Sequence, residues 1–197
     1  MNIWFESIYN GIEICIRVLP VMIIFSALVI GIKGGNVSPL RLIGVQASVL
    51  YLICLVSVVF FPLPSAEQVA AMHGYKGQYI PFKFVLDIAR EKSLRSVLQV
   101  IFNIFMTIPF GLILRYCLGI KRRNIVILTF LLSLLIELAQ LTGLFFLYPG
   151  SYRLFDVDDL MLNTLGGFLG VVIADRIPRP TAAAFRFSFF PGSLRRL

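Results

Sequence analysis

Arg153, Asp156, Asp159 and Asn163 recur at intervals of three and four residues, and Gly166 and Gly170 continue the series. On a helix that spacing puts all six on one face. Carboxylates beside a strongly apolar run are costly, and ionisable groups at membrane depth usually face a protein interior or a watery cavity, so this face is the leading functional candidate. Two other segments carry polar groups inside apolar runs. NIFMTIPFG contains Asn103, Pro109 and Gly111; SLLIELAQ contains Ser133, Glu137 and Gln140 on a second common face. An intramembrane amide needs a hydrogen-bond partner, which an adjacent helix can supply. Glu137, left ionised without a partner, would cost several kcal/mol, so it is protonated, paired or bound to a cation. The chemistry open to such a set is binding of a polar head group or of a cation. The bland alternative is that Arg153 pairs with Asp156 while the amides staple helices together.

These groups need elements to hold them, and composition says which. Of the 197 residues 58% are hydrophobic and 14% charged, with a mean hydropathy of +0.89. Windows at 42–62, 97–119, 125–147 and 159–177 approach the ~20 apolar residues that a spanning helix needs. A fifth, 12–32, is interrupted by Arg17 and Pro20. Continuous runs exclude the alternation of a barrel. The expectation is an all-α polytopic bundle of about five transmembrane helices. Pro109 should bend the third span and Gly111 admit a close neighbour. Gly166 and Gly170, a G-x-x-x-G, suit tight helix packing, with dimerisation the alternative.

At ~1.5 Å per residue, Asn103, Gln140 and Asn163 should lie at similar depths in one leaflet, forming with Glu137 a polar pocket that opens near Arg153, Asp156 and Asp159. Asp156 and Asp159 are the candidate ligands should a divalent cation bind; oxygen donors alone would suit Mg²⁺ or Ca²⁺. No other cofactor is indicated; were the protein an enzyme, Glu137 would be its acid or base. His73 is the only histidine and sits in the segment HGYKGQY, where solvation is expected. Cys15, Cys54 and Cys117 suggest packing, not a disulfide framework or a zinc site.

Topology follows from Lys and Arg. With five spans, Lys33, Arg41, Arg115, Lys121, Arg122, Arg123, Arg176, Arg179, Arg186, Arg195 and Arg196 share one side. Arg17, Lys76, Lys83, Arg90, Lys92, Arg95 and Arg153 share the other, most of them in the loop 63–95 beside Glu67, Asp87 and Glu91. The first side is therefore expected to be cytoplasmic, with the C-terminus inside and the N-terminus and the loop 63–95 outside. The net charge of +8 reflects this topology, and no nucleic-acid fold signature accompanies it. Basic and aromatic residues alternate in the tail 178–197, which suits an anionic inner leaflet. The N-terminus has Glu6 and Glu13 where a signal peptide would be basic. Trp4, Phe5, Ile8, Ile12 and Cys15 share a face there, either at the interface or as the outer end of the first span.

Together NIFMTIPFGLIL, SLLIELAQ and DVDDLMLNTLGGFLG resemble the VanZ-like family of bacterial membrane proteins, in order and spacing, over Asn103–Gly170; Ile80-Pro81-Phe82 resembles a short element preceding that core. The family pattern falls on Asn103, Pro109, Gly111, Ser133, Glu137, Gln140, Asp156, Asp159, Asn163, Gly166 and Gly170, and Arg153 stands where an outward basic residue is frequent. Residues 42–177 form the resembling core and 1–41 an added segment and span. The family's namesake is associated with reduced susceptibility to teicoplanin and related lipoglycopeptides, so the resemblance implies a role in the envelope of the bacterial cytoplasmic membrane. The expected partner is a membrane lipid or lipid-linked envelope component, bound at the outer face. A metal-assisted intramembrane enzyme acting on a lipid-linked phosphate or sugar is the first alternative, and a purely structural scaffold the second. A transporter has less support, since no inverted repeat is visible.

Overall fold

The structure, a computed structural model, describes residues 3–32, 39–71, 77–148, 150–151 and 153–177. The tail 178–197, His73 and Lys76 lie outside the described residues. The architecture is all-α and polytopic: among the described residues five helices are long and apolar enough to cross a membrane. They belong to two compact units, residues 1–63 and residues 64–177.

In the first unit, α1 (Ile3–Ile32) and α2 (Pro39–Phe60) pack together as a hairpin. Pro20 lies inside α1 without ending it. Gly11 lets α1 approach Ser57, which is buried. The amide of Gln46 reaches back to the Ser26 hydroxyl and, at 3.3 Å, to the Met22 carbonyl. Cys15 and Cys54 are free thiols in contact, Sγ to Sγ 3.0 Å, so their separation of 39 positions in sequence is closed by the hairpin. Packing thus groups α2 with α1, whereas the sequence resemblance groups it with 42–177.

The second unit begins with α3 (Ala66–Ala71), followed by β1 (Gly77–Gln78) and the amphipathic α4 (Lys83–Glu91). Its spans are α5 (Leu94–Tyr116), α6 (Arg122–Leu141) and, after the single turn α7 (Gly143–Phe146) and β2 (Phe155–Asp156), α8 (Val157–Arg176). The strands pair in parallel, Gly77 with Phe155 and Gln78 with Asp156, and so tie the segment before α4 to the start of α8.

Helices α5 and α8 run side by side with a constant offset. Asn103 meets Asp159, Thr107 meets the Asn163 carbonyl at 2.7 Å, and Gly111 meets Gly167. The glycines permit this approach. A Cβ on Gly166 or Gly170 would collide with the carbonyl oxygen of Ile104 or Ile108, and one on Gly111 with that of Gly167. Gly167 faces α6, where a Cβ would strike Thr129. The G-x-x-x-G therefore packs within the chain. At the far end Asp175 accepts from Arg115 and Arg122, each at 2.7 Å, joining α5, α6 and α8.

The fourth span ends six residues before the expected 147. Thr142 accepts from the Phe145 amide at 3.1 Å, Gly143 takes a positive φ of 60°, and Leu144, Phe145 and Phe146 follow it into the left-handed region. For non-glycine residues that conformation costs ~1–2 kcal/mol each, and it leaves Phe145, Phe146 and Leu147 exposed beyond the helix. The apolar run continues, but the helix does not.

Candidate functional site

The first turn of α8 concentrates three carboxylates where four amides would otherwise lack partners. Asp156 is the N-cap: its side chain accepts from the Asp158 amide at 2.9 Å. Asp158 turns away from the helix and docks α4, accepting from the backbone amides of Phe82 at 2.6 Å and Phe84 at 2.8 Å. Those are amides at the start of α4, whose own N-cap, Phe82, offers no side-chain acceptor. Phe82 has a φ of 62° and the C-cap Lys92 one of 45°, so both ends of α4 are held in a left-handed conformation that costs on the order of 1–3 kcal/mol apiece and persists only where the surroundings impose it. The buried carboxylate of Asp158 is one such constraint. Gln78 completes it, its amide donating to Ile80 O at 2.8 Å and to Asp156 at 3.2 Å.

Asp159 accepts from Asn103 and is also hydrogen-bonded by Gln99. Glu137 is buried, and its carboxylate accepts from the Asp156 backbone amide at 3.0 Å, fixing β2 to the end of α6. Asn163 donates to Ser133 at 2.8 Å, and its Oδ1 is buried with no hydrogen-bond partner among the described residues. Gln140 is buried and Arg153 half-buried; each has a partner, and Arg153 is near enough to Glu137 to interact with it electrostatically. Pro109 lies inside α5.

These positions redraw the expected depths. Asn103 is the tenth residue of α5 and Asp159 the third of α8, so α5 extends roughly 10 Å beyond the start of α8. Glu137 lies about 6 Å from the end of α6, and Gln140 is its penultimate residue, because α6 stops at Leu141. Gln140 therefore lies nearer the end of its helix than expected, while the polar groups as a set lie toward one end of the bundle.

Over that end the projecting turns of α5, together with α4 and the first turn of α8, enclose a cavity of about 260 Å³. Asp156, Asp158, Asp159, Asp87 and Glu91 line it, with Arg95, Ser96 and Gln99 and with Phe84, Val100 and Leu162 as apolar wall. Of the residues expected at a pocket, Asp156 and Asp159 line this one. Asn103, Glu137, Gln140, Arg153 and Asn163 are not among its lining; they form the packed polar layer beneath or beside it. Asp158, Gln78, Gln99, Thr107 and the α4 carboxylates were not anticipated. Asp158 lies off the three-and-four face, and the others depend on pairings distant in sequence.

Asp156 lies outside the spans. Burial raises its carboxyl above the usual range, against hydrogen bonds from Asp158 and Gln78. Asp156 and Asp159 could offer oxygens to a cation, but among the described residues no three His, Cys, Asp or Glu side chains are grouped to hold a metal.

Fold and site define a polytopic helical membrane protein with an acidic polar end. The chain belongs to the VanZ/LLP1 family, whose profile matches residues 48–177. No curated protein and no solved structure matches it.

Proposed function

We propose that the protein sits in the bacterial cytoplasmic membrane with its acidic end outward and binds there the head group of an envelope lipid or lipid-bearing molecule, thereby altering envelope properties and lipoglycopeptide susceptibility. Family membership supports the envelope setting, and the distribution of Lys and Arg supports the orientation. The observation that carries the reading is the cavity above Asp156 and Asp159. Its volume of about 260 Å³ lies just below the ~300–1,000 Å³ typical of ligand sites, which fits a head group and not a whole glycopeptide. Apart from Asp158, whose oxygens are taken by the amides of Phe82 and Phe84, its lining sets four carboxylates against one guanidinium, so Coulomb's law favours an amine-bearing head over a bare phosphate.

Asp159→Asn tests this. It keeps the shape and the helix position, and an amide can still hydrogen-bond to Asn103 or Gln99. The expected outcome is loss of any lipoglycopeptide or envelope-stress phenotype, and of co-purifying lipid in native mass spectrometry, at unchanged membrane abundance. Glu137→Gln, beneath the cavity, is expected to act in the same direction. Full phenotype and full lipid retention in Asp159→Asn would mean that the carboxylate is scaffolding.

A further inference from the structure

We propose that α4 is a membrane-surface helix whose apolar stripe, Val85, Leu86 and Ala89 with Phe82 beside them, lies in the head-group boundary of a lipid bilayer. The assignment stands apart from whatever the cavity binds.

The helix has three faces. Asp87 and Glu91 line the cavity together with Phe84. Phe84 and Ile88 are half-buried on the side where α4 packs on α5. Val85, Leu86 and Ala89, spaced three and four apart, occupy the remaining side and are exposed, Val85 by 50% and Leu86 by 51%. Nothing in the helix is fully buried. The stripe does not end with α4: Phe82, Tyr79 and Ile80 before it are each more than half exposed.

An exposed apolar stripe that runs along one helix and into the segment before it calls for a cover. Two observations identify the cover as lipid. First, α4 leads within two residues into the spanning α5, whose Leu94, Val97, Leu98, Ile101 and Phe105 form an exposed stripe with the same helical spacing. Such a face on a membrane span meets acyl chains, so the α4 stripe directly precedes, along the chain, a lipid-facing one. Second, the charge is arranged as an interfacial helix requires. The carboxylates Asp87 and Glu91 line the cavity, whereas Arg90 and Lys92, which are exposed, do not. This leaves basic groups to meet anionic head groups at the rim. A short helix with a polar face, an apolar face and low net hydrophobicity lies in the interface and does not cross. The exposed Phe145, Phe146 and Leu147 stand past the end of α6, at this same end of the unit.

Tryptophan fluorescence decides it. Trp4 is the only tryptophan, so the full chain carrying Trp4→Phe is silent, and Leu86→Trp, Val85→Trp or Arg90→Trp is introduced singly. Each variant is reconstituted in vesicles of phosphatidylglycerol with either ordinary or chain-brominated phosphatidylcholine. A probe ~5–10 Å into the boundary is within reach of the bromines. The expected result is blue-shifted emission at Leu86→Trp and Val85→Trp, with quenching by brominated lipid several-fold stronger than at Arg90→Trp. Red, unquenched emission at both stripe positions would show that the stripe faces water and overturns the proposal. Blue, unquenched emission would show a protein cover such as a second copy, and overturns it equally. Two stripe positions keep the test valid if one variant fails to fold.

Discussion

Asp156, Asp158 and Asp159 are neighbours in one turn and do different work. Asp158 commits both oxygens to the amides of Phe82 and Phe84, so Asp158→Asn leaves one of these donors facing an amide. The expected loss is about 1–3 kcal/mol, read as a lower thermal midpoint in detergent; an unchanged midpoint would mean that α4 docks without this carboxylate. Asp156 offers a different handle. Burial raises its carboxyl, so the folded chain binds more protons than the unfolded one. That contribution is fully present below the unfolded value of ~3.9 and is lost as pH rises through the folded value. Asp156→Asn retains an acceptor for the Asp158 amide and removes the titration. Its midpoint is therefore expected to gain on that of the parent as pH rises from ~4 to ~7; a constant difference would refute the assignment. The three-and-four spacing made Asp156 and Asp159 legible in the sequence. It passed over Asp158, whose two shortest hydrogen bonds come from backbone amides, and backbone amides leave no mark on a pattern of side chains.

Glycine spacing illustrates what periodicity reveals and what it withholds at the scale of elements. The series Asn163, Gly166 and Gly170 marked a close-packing face correctly, and the structure adds which neighbour each residue meets: α5 for Gly166 and Gly170, α6 for Gly167. Gly166→Leu is accordingly expected to separate α8 from α5 at Ile104 and Thr107, at a cost of at least ~1–3 kcal/mol, and to lower membrane abundance on immunoblots. Normal abundance with an unshifted melting profile would count against direct backbone contact there. The five spans were legible because each is a long apolar run. The end of α6 was not, since Leu144 to Leu147 remain apolar while the backbone has already turned left-handed. Neither β1 nor β2 could be read, because two residues carry no period, and so the part that α4 plays in the cavity lined by Asp156 and Asp159 was not anticipated. α4 was contained in the loop 63–95 without being resolved from it, although Val85, Leu86 and Ala89 already carried its amphipathic spacing.

Across the whole molecule the second unit is polar at both ends by different means. One end gathers the carboxylates of α4 and α8 around a cavity; the other closes on Asp175 between Arg115 and Arg122, with Lys121 and Arg123 exposed beside them. Short basic turns are retained on the cytoplasmic side of a membrane, whereas a longer segment of mixed charge carries no such signal. The turn between α5 and α6 should therefore be inside, and α4 with its cavity outside. This orientation decides whether the cavity can meet outer-leaflet lipids at all, and labelling can test it. In a chain whose three native cysteines are replaced by serine, Arg90→Cys and Arg123→Cys are each offered a membrane-impermeant maleimide in intact cells. Both positions are exposed, so burial does not confuse the comparison. Arg90→Cys is expected to react at once and Arg123→Cys only after permeabilisation. The reverse order would place the carboxylates in the cytoplasm, and a head-group site facing the outer leaflet would then be untenable.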